Sequence, residues 1–172
     1  MSLSVIIPTI GRPTLTDTLL SILPQLHIED EIIVYADGLL NLGELIQDLD
    51  PRIRYGEMHP THDYGNTQRD RAQELAKGTH LVYADDDDIM SSNALAYFRR
   101  AVKADPLSIW LFKMFYGQNS QSPGLVLWND QHVRKGNLGT PMFLIPNQPD
   151  LPNWAGAKQL EYSDFIYLIN RA

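Results

Sequence analysis

The chain has 172 residues, 44% apolar and 20% charged, which describes one ordinary globular domain with a real core. Fourteen basic residues against 21 acidic ones leave a net charge of −7, which argues against broad, sequence-independent nucleic-acid binding because that needs a basic face, though not against a nucleotide. No cysteine is present, so disulfides, zinc–thiolate sites and a cysteine nucleophile are excluded as well.

The N-terminus, "MSLSVIIPTIGRP", has no basic leader, and its apolar run is broken at Pro8, so it does not read as a signal peptide. No apolar run approaches the ~20 residues that span a bilayer. The expectation is a cytoplasmic protein without a transmembrane segment. "LSVIIP" (3–8) is a short run rich in β-branched residues and predicts a buried strand. "TLTDTLLSILPQL" places Leu15, Leu19, Ile22, Leu23 and Leu26 at helical spacing, with Pro24 ending or kinking the helix.

"DEIIVYADG" (30–38) predicts a second buried strand ending in a turn. "LGELIQDL" predicts a short helix and "RIRYGE" a third strand. "YGNTQRDRAQELAKG" predicts a helix capped by Asn66 or Thr67 and stopped at Gly78. "THLVYA" (79–84) is a fourth strand, and a helix from Ser91 or Ser92 runs to Asp105. This βαβαβαβ order predicts a parallel sheet flanked by helices, with ligands bound at the carboxyl ends of the strands.

After residue 106 the texture changes. "LSIWLFKMFYG", "GLVLWND" and "TPMFLIPN" predict further strands between polar, Pro/Gly-rich loops, and "QLEYSDFIYLINRA" a closing helix. Nothing resembles a linker. The reading is a single α/β domain over 1–172 whose mostly parallel central sheet gains a mixed or antiparallel C-terminal extension.

Four strand ends carry polar residues: Pro8–Thr9 through Arg12, Asp37–Gly38, the histidine-containing loop after strand three, and Asp85 to Asp88. The last is the most unusual, because no Lys or Arg lies nearer in sequence than Lys77 and Arg99. Carboxylates at the tip of a buried strand suit a hard divalent cation such as Mg²⁺ or Mn²⁺. On an extended chain Asp85 and Asp87 face one site while Asp86 and Asp88 diverge. The competing account is a solvated acidic loop at the start of the next helix. A Walker B strand is excluded by the absence of GxxxxGK[ST], and a dinucleotide GxGxxG is also absent. An EF-hand is excluded because "DDDDIMSSNALA" has neither the sixth-position Gly nor the twelfth-position Glu. "DDDDI" is only near the DxDx[TV] of haloacid-dehalogenase phosphatases, and that motif normally opens its domain.

Read together, "SVIIPTIGRP", "IIVYADG" and "GNTQRDRAQELAKGTHLVYADDDD" resemble the family 2 glycosyltransferases of the GT-A fold. The resemblance covers residues 3 to about 104, and the order and spacing of the pieces make it specific. It implies a GT-A-like domain with a nucleotide-sugar-binding half (1–104) and a minimal acceptor-side half (105–172). It also implies metal-dependent transfer of a sugar from a nucleoside-diphosphate sugar, with UDP-sugars favoured, to an acceptor hydroxyl, commonly with inversion.

Carried over residue by residue, Pro8, Thr9 and Arg12 meet the nucleoside, and Asp37 accepts a hydrogen bond from the base. Arg69 sits near the base or phosphates, Asp85 near the ribose with Asp86 beside it, and Asp87 ligates the metal. The general base that inversion needs falls to Asp164, with Glu161 second, in "LEYSDFIYL"; the alternative is that Ser163 or Asp164 caps a terminal helix. The chain departs from the family pattern at Asp70, usually Asn, and at Ala72, often Gly, and Arg71 is an extra basic residue.

Trp154, Trp128 and Tyr162 are candidates to stack on an acceptor sugar, Trp154 first because it lies in a polar loop, whereas Trp110 reads as core. His59 and His62, with Pro60 between them, read as loop histidines bordering the nucleotide rather than metal ligands. "FRRAVK" reads as the wet face of a helix. Two other functions compete: a GT-A-like domain that binds a nucleotide without turning it over, and a metal-dependent phosphatase. The acceptor is unknown: a glycan, a lipid-linked group or another hydroxyl.

Overall fold

The computed structural model describes residues 1–112, 139–151 and 153–155. Within them the chain forms β1 (Leu3–Thr9), α1 (Leu15–Ile22), β2 (Glu31–Asp37), α2 (Gly43–Gln47), β3 (Ile53–Met58) and α3 (Asn66–Leu75). There follow β4 (His80–Tyr83), α4 (Ala94–Ala104), β5 (Trp110–Leu111) and β6 (Phe143–Pro146). Pro24 does end the first helix, which passes into a 3-10 turn over Leu23–Gln25. The second half of "LSIWLFKMFYG", all of "GLVLWND" and the closing helix fall outside the described residues.

The six strands form one sheet in the order β3-β2-β1-β4-β6-β5. The β1, β2, β3 and β4 pairings are parallel, whereas β6 runs antiparallel to both β4 and β5. The sheet is therefore parallel where helices cross over and antiparallel at the later edge.

Strand β1 is buried at every residue, because helices cover both faces of the sheet. Its side chains alternate between the two layers. Leu3, Val5 and Ile7 pack with Leu15, Leu19 and Ile22 of α1 and with Leu95, Phe98 and Val102 of α4. Ile6 packs on the other face with Ala72 of α3, Tyr83, Phe143 and Trp154.

Two contacts pin the N-terminal ends of the strands. Gly78 does not stop α3, which ends at Leu75 with Ala76 as its C-cap. Gly78 lies against β1, where an added Cβ would stand 2.6 Å from the Ser4 backbone nitrogen. The glycine is needed for this close backbone approach rather than for a helix stop. Asp30, buried before β2, accepts hydrogen bonds from the backbone N–H groups of Leu3 (2.9 Å) and His27 (2.6 Å). Arg99 of α4 completes that cluster with an ion pair to Asp30.

Candidate functional site

The carboxyl ends of β1, β2 and β4 and the N-terminal end of α3 surround a cleft of about 570 Å³. It is lined by Pro8, Thr9, Ile10, Arg12, Asp37, His62, Tyr64, Gly65, Arg69, Asp85, Asp86 and Asp87. Eight of these are the residues expected from sequence: Pro8, Thr9, Arg12, Asp37, Arg69, Asp85, Asp86 and Asp87. They come from segments far apart in the chain and converge because parallel strands end at one edge.

The aspartates are answered by two arginines distant in sequence. Arg69 Nη2 lies 2.6 Å from Asp85 Oδ1, and Arg12 Nη1 lies 2.7 Å from Asp86 Oδ1 and 3.0 Å from Asp87 Oδ2. The four carboxylates do not alternate as on a strand. β4 stops at Tyr83, and residues 85–88 form a turn closed by Asp88 N–H donating to the Asp85 carbonyl at 3.1 Å. The Asp85 N–H in return donates to Asp88 Oδ2 at 3.1 Å.

Each carboxylate consequently has a separate environment. Asp86 is buried and accepts from Thr9 Oγ1 (2.7 Å), the Ile10 N–H (3.3 Å) and Arg12. It holds the 9–12 loop in place, so it shapes the cleft wall more than it offers lone pairs to a ligand. Asp87 is half exposed and pairs with Arg12 at 3.0 Å. Asp88 is not part of the cleft lining. Burial, with the charges of Asp85, Asp87 and Asp86 adding to it, pushes its carboxyl above the usual range.

That shift has a pH consequence. A carboxyl that holds its proton more tightly folded than unfolded costs nothing at low pH and destabilises as pH rises past the ordinary carboxylate range. Asn at this position keeps the acceptor for the Asp85 N–H and removes the charge. Asp88→Asn is therefore expected to melt higher than wild type at pH 7, with the gain shrinking toward pH 4. Parallel melts at the two pH values measure this, and a gain independent of pH contradicts it.

At the opposite end of the cleft, Asp37 closes β2. Its Oδ1 accepts from the Thr61 N–H (2.6 Å), Gln68 Nε2 (2.8 Å) and Thr61 Oγ1 (3.1 Å). Its Oδ2 accepts only a longer contact, 3.3 Å, from the His62 N–H. The loop after β3 is thus clamped onto this carboxylate. His62 and Tyr64 both take left-handed backbone conformations (φ 54° and 62°), followed by Gly65 at φ 80°. A Cβ on Gly65 would stand 2.8 Å from Pro8 Cβ, so the loop lies flat on the end of β1.

Helix α3 starts differently from its expected cap. Neither Asn66 nor Thr67 caps it. Gly65 stands at the cap, and Asp63 instead accepts from Thr67 N–H (3.0 Å) and Thr67 Oγ1 (2.5 Å). This fixed start aims Arg69, which is almost wholly buried. Its Nη1 donates to the Tyr64 carbonyl at 2.9 Å, and its Nε is buried with no hydrogen-bond partner among the described residues.

Trp154 requires correction as an acceptor platform. It is buried, with its ring 5.0 Å from Tyr83 and 6.4 Å from Phe143, both edge-to-face. The physical reason is Asp70, whose carboxylate accepts the N–H groups of Trp154 (2.6 Å) and Ala155 (2.9 Å) and draws this loop onto α3. Burial raises the Asp70 carboxyl above its usual range, against the lowering effect of those two donors. Trp110 packs against the core as expected. Asp164, Glu161, Trp128 and Tyr162 lie outside the described residues.

Sequence reasoning missed Ile10, Tyr64 and Gly65 as cleft residues. The signal was present in "DYGN", a turn-forming stretch immediately before a helix.

Among the described residues no group of three or more His, Asp or Glu side chains is arranged to hold a metal ion unaided. The donor set still fits one. Four aspartates against two arginines leave the lining with two net negative charges. A divalent cation would offset that charge toward a diphosphate, and Mg²⁺-type ions take one or two carboxylates and complete their shell from phosphates and water. Half-exposed Asp87, with Asp85 beside it, meets that requirement.

The pattern of Glycosyl transferase family 2 matches residues 4–146, most of the chain. The chain belongs to this family. Its sheet has the GT-A arrangement seen in solved glycosyltransferase structures. S. aureus TarS 1–349 in complex with UDP-GlcNAc is similar over 94% of this chain and 48% of that one, with TM-score 0.67 and 18% identity. The complex of TarS 1–349 with UDP gives the same TM-score and identity. A mannosyltransferase from Pyrobaculum calidifontis in complex with GDP-Man and Mn²⁺ is similar over 66% of this chain and 35% of that one, with TM-score 0.54 and 19% identity. The family 2 chain described here spans about half the length of TarS 1–349. A search of curated protein sequences finds no match. Among the described residues no helix is long and apolar enough to cross a membrane.

Proposed function

We propose that this family 2 chain is a glycosyltransferase that uses a UDP-sugar donor with a divalent cation, Mn²⁺ or Mg²⁺, and transfers the sugar with inversion to an acceptor hydroxyl. The observation that carries the reading is the cleft itself. A carboxylate suited to read a base (Asp37), two guanidiniums (Arg12, Arg69) and a half-exposed carboxylate (Asp87) line one pocket, the groups that a nucleoside diphosphate needs.

Uracil is supported by how Asp37 is used. Guanine presents two adjacent N–H donors, which a carboxylate meets best with both oxygens. Oδ1 of Asp37 is occupied by Thr61 and Gln68, leaving Oδ2 with one long contact. A single free oxygen suits the lone imide N–H of uracil. In this reading Pro8 and Thr9, which line the cleft, meet the nucleoside, and Asp85, held by Arg69, takes the ribose hydroxyls.

Asp87, with Asp85 nearby, would hold the cation, which when bound neutralises the charge developing on the departing diphosphate. The chain's own residues orient the donor. Arg69 positions Asp85 through its Nη2, and Arg12 can turn from Asp87 to a phosphate while keeping Asp86. In the single displacement the acceptor oxygen bonds to the anomeric carbon as the sugar–phosphate bond breaks. The acceptor proton passes to a carboxylate, Asp164 or, second, Glu161.

UDP release from UDP-sugars, followed with and without Mn²⁺, tests this reading. Metal-stimulated release, even by slow hydrolysis, supports a transferase. Nucleotide binding without any turnover would make the chain a binding domain, and phosphate release from simple esters would make it a phosphatase.

A further inference from the structure

Resting on the donor reading above, the geometry points to Tyr64 as the residue that closes over the nucleobase and sets affinity for nucleotide over bare diphosphate. Tyr64 is 93% exposed, more than any other large apolar side chain among the described residues, yet it lines the cleft. It also holds a left-handed backbone conformation, an outlier for a bulky side chain. An exposed aromatic ring in an unfavourable conformation gains nothing from the fold that surrounds it.

The conformation is fixed from both sides. Two residues upstream, the His62 N–H donates to Asp37 Oδ2, the atom assigned to the base. Tyr64's own carbonyl accepts from Arg69 Nη1 at 2.9 Å, and Arg69 pairs with Asp85. The Tyr64 backbone is thus anchored between the base end and the ribose end of the cleft. Its Cα lies within about 7 Å of that of His62, since consecutive Cα atoms are ~3.8 Å apart. A tyrosine ring swings on two torsions only, so ordering it over a ligand is entropically cheap. Ile10, also on the lining and more than half exposed, offers the same ligand a second apolar surface. A planar uracil over Asp37 has the face these side chains need.

The test measures affinity for UDP and for inorganic pyrophosphate, each with Mn²⁺, by calorimetry on wild type, Tyr64→Phe and Tyr64→Gly. Glycine is chosen because it accepts φ 62° without strain, so this variant is expected to melt no lower than wild type. Base–aromatic stacking predicts that glycine weakens UDP roughly tenfold or more. It also predicts that phenylalanine stays within about threefold, since the ring face is kept, and that pyrophosphate is unaffected. UDP affinity unchanged in Tyr64→Gly, with wild type binding, overturns the role of Tyr64 alone. An equal loss for pyrophosphate overturns it too, because the tyrosine would then act through Arg69 and the phosphates. Wild type that binds pyrophosphate but not UDP overturns the donor reading and this assignment together.

Discussion

Asp87→Ala is expected to lower kcat/KM for UDP-sugar turnover by about 10²- to 10³-fold while leaving the melting temperature nearly unchanged. The two halves of that expectation have different physical origins. Asp87 is half exposed, and its ion pair with Arg12 joins two side chains that are each about half in solvent. Exposed pairs of this kind contribute only about 0–1 kcal/mol, so the fold does not depend on it. In the proposed reaction, by contrast, it is the carboxylate that holds the cation against the diphosphate. Losing one preorganised electrostatic group of that kind costs a few kcal/mol of transition-state stabilisation. Steady-state kinetics together with a thermal melt check both halves. A variant that stays folded and turns over at wild-type rate removes Asp87 from the mechanism.

Arg99→Met is expected to have the opposite profile. Asp30 is fully buried, and Arg99 nearly so, at 0% and 13% side-chain exposure. Removing the arginine leaves a buried carboxylate with two backbone donors and only the more distant Arg52 as counter-charge. Breaking a buried pair from one side costs about 3–5 kcal/mol. For a domain of this size that lowers the melting temperature by roughly 6–20 °C. The pair ties α4 to the start of β1 and the loop before β2, at the end of the sheet away from the cleft. Donor affinity measured below the melting transition is therefore expected to be unchanged. Pairing the substitution with Asp30→Asn should recover part of the loss, because the stranded charge is then gone. A double variant as unstable as the sum of the singles would show that the two residues act separately.

Most of the cleft was legible in the sequence because it depends on topology. Short apolar runs ended by Pro8, by Asp37 and by Asp85 can only be buried strands with polar tips, and parallel connection brings those tips to one edge. The parts that were not legible depend on side-chain partners far away in the chain. Arg12 and Arg69 meet the aspartates across 74 and 16 residues, which no local pattern reveals. The alternation expected of Asp85 to Asp88 failed because β4 ends at Tyr83, so the four carboxylates sit on a turn and each has its own partners. Trp154 was misread from the polarity of its neighbours, whereas Asp70 draws its loop inward. Asp70 is one of the positions at which the chain departs from the family pattern, and it has a structural use of its own. Gly78 was recognised as special for the wrong reason, since a strand backbone stands where its side chain would be.

In the proposed reaction the cleft holds a uridine diphosphate together with a divalent cation. Thermal shifts with UDP and with GDP, each in the presence and absence of Mn²⁺, test it most directly. A ligand at about 100 times its Kd stabilises the native state by about 2.7 kcal/mol, which for this chain is a rise of roughly 5–11 °C. Such a rise is expected for UDP with Mn²⁺, a smaller one for GDP with Mn²⁺, and little for either nucleotide without metal. No rise with UDP and Mn²⁺, or a larger one with GDP, would contradict it.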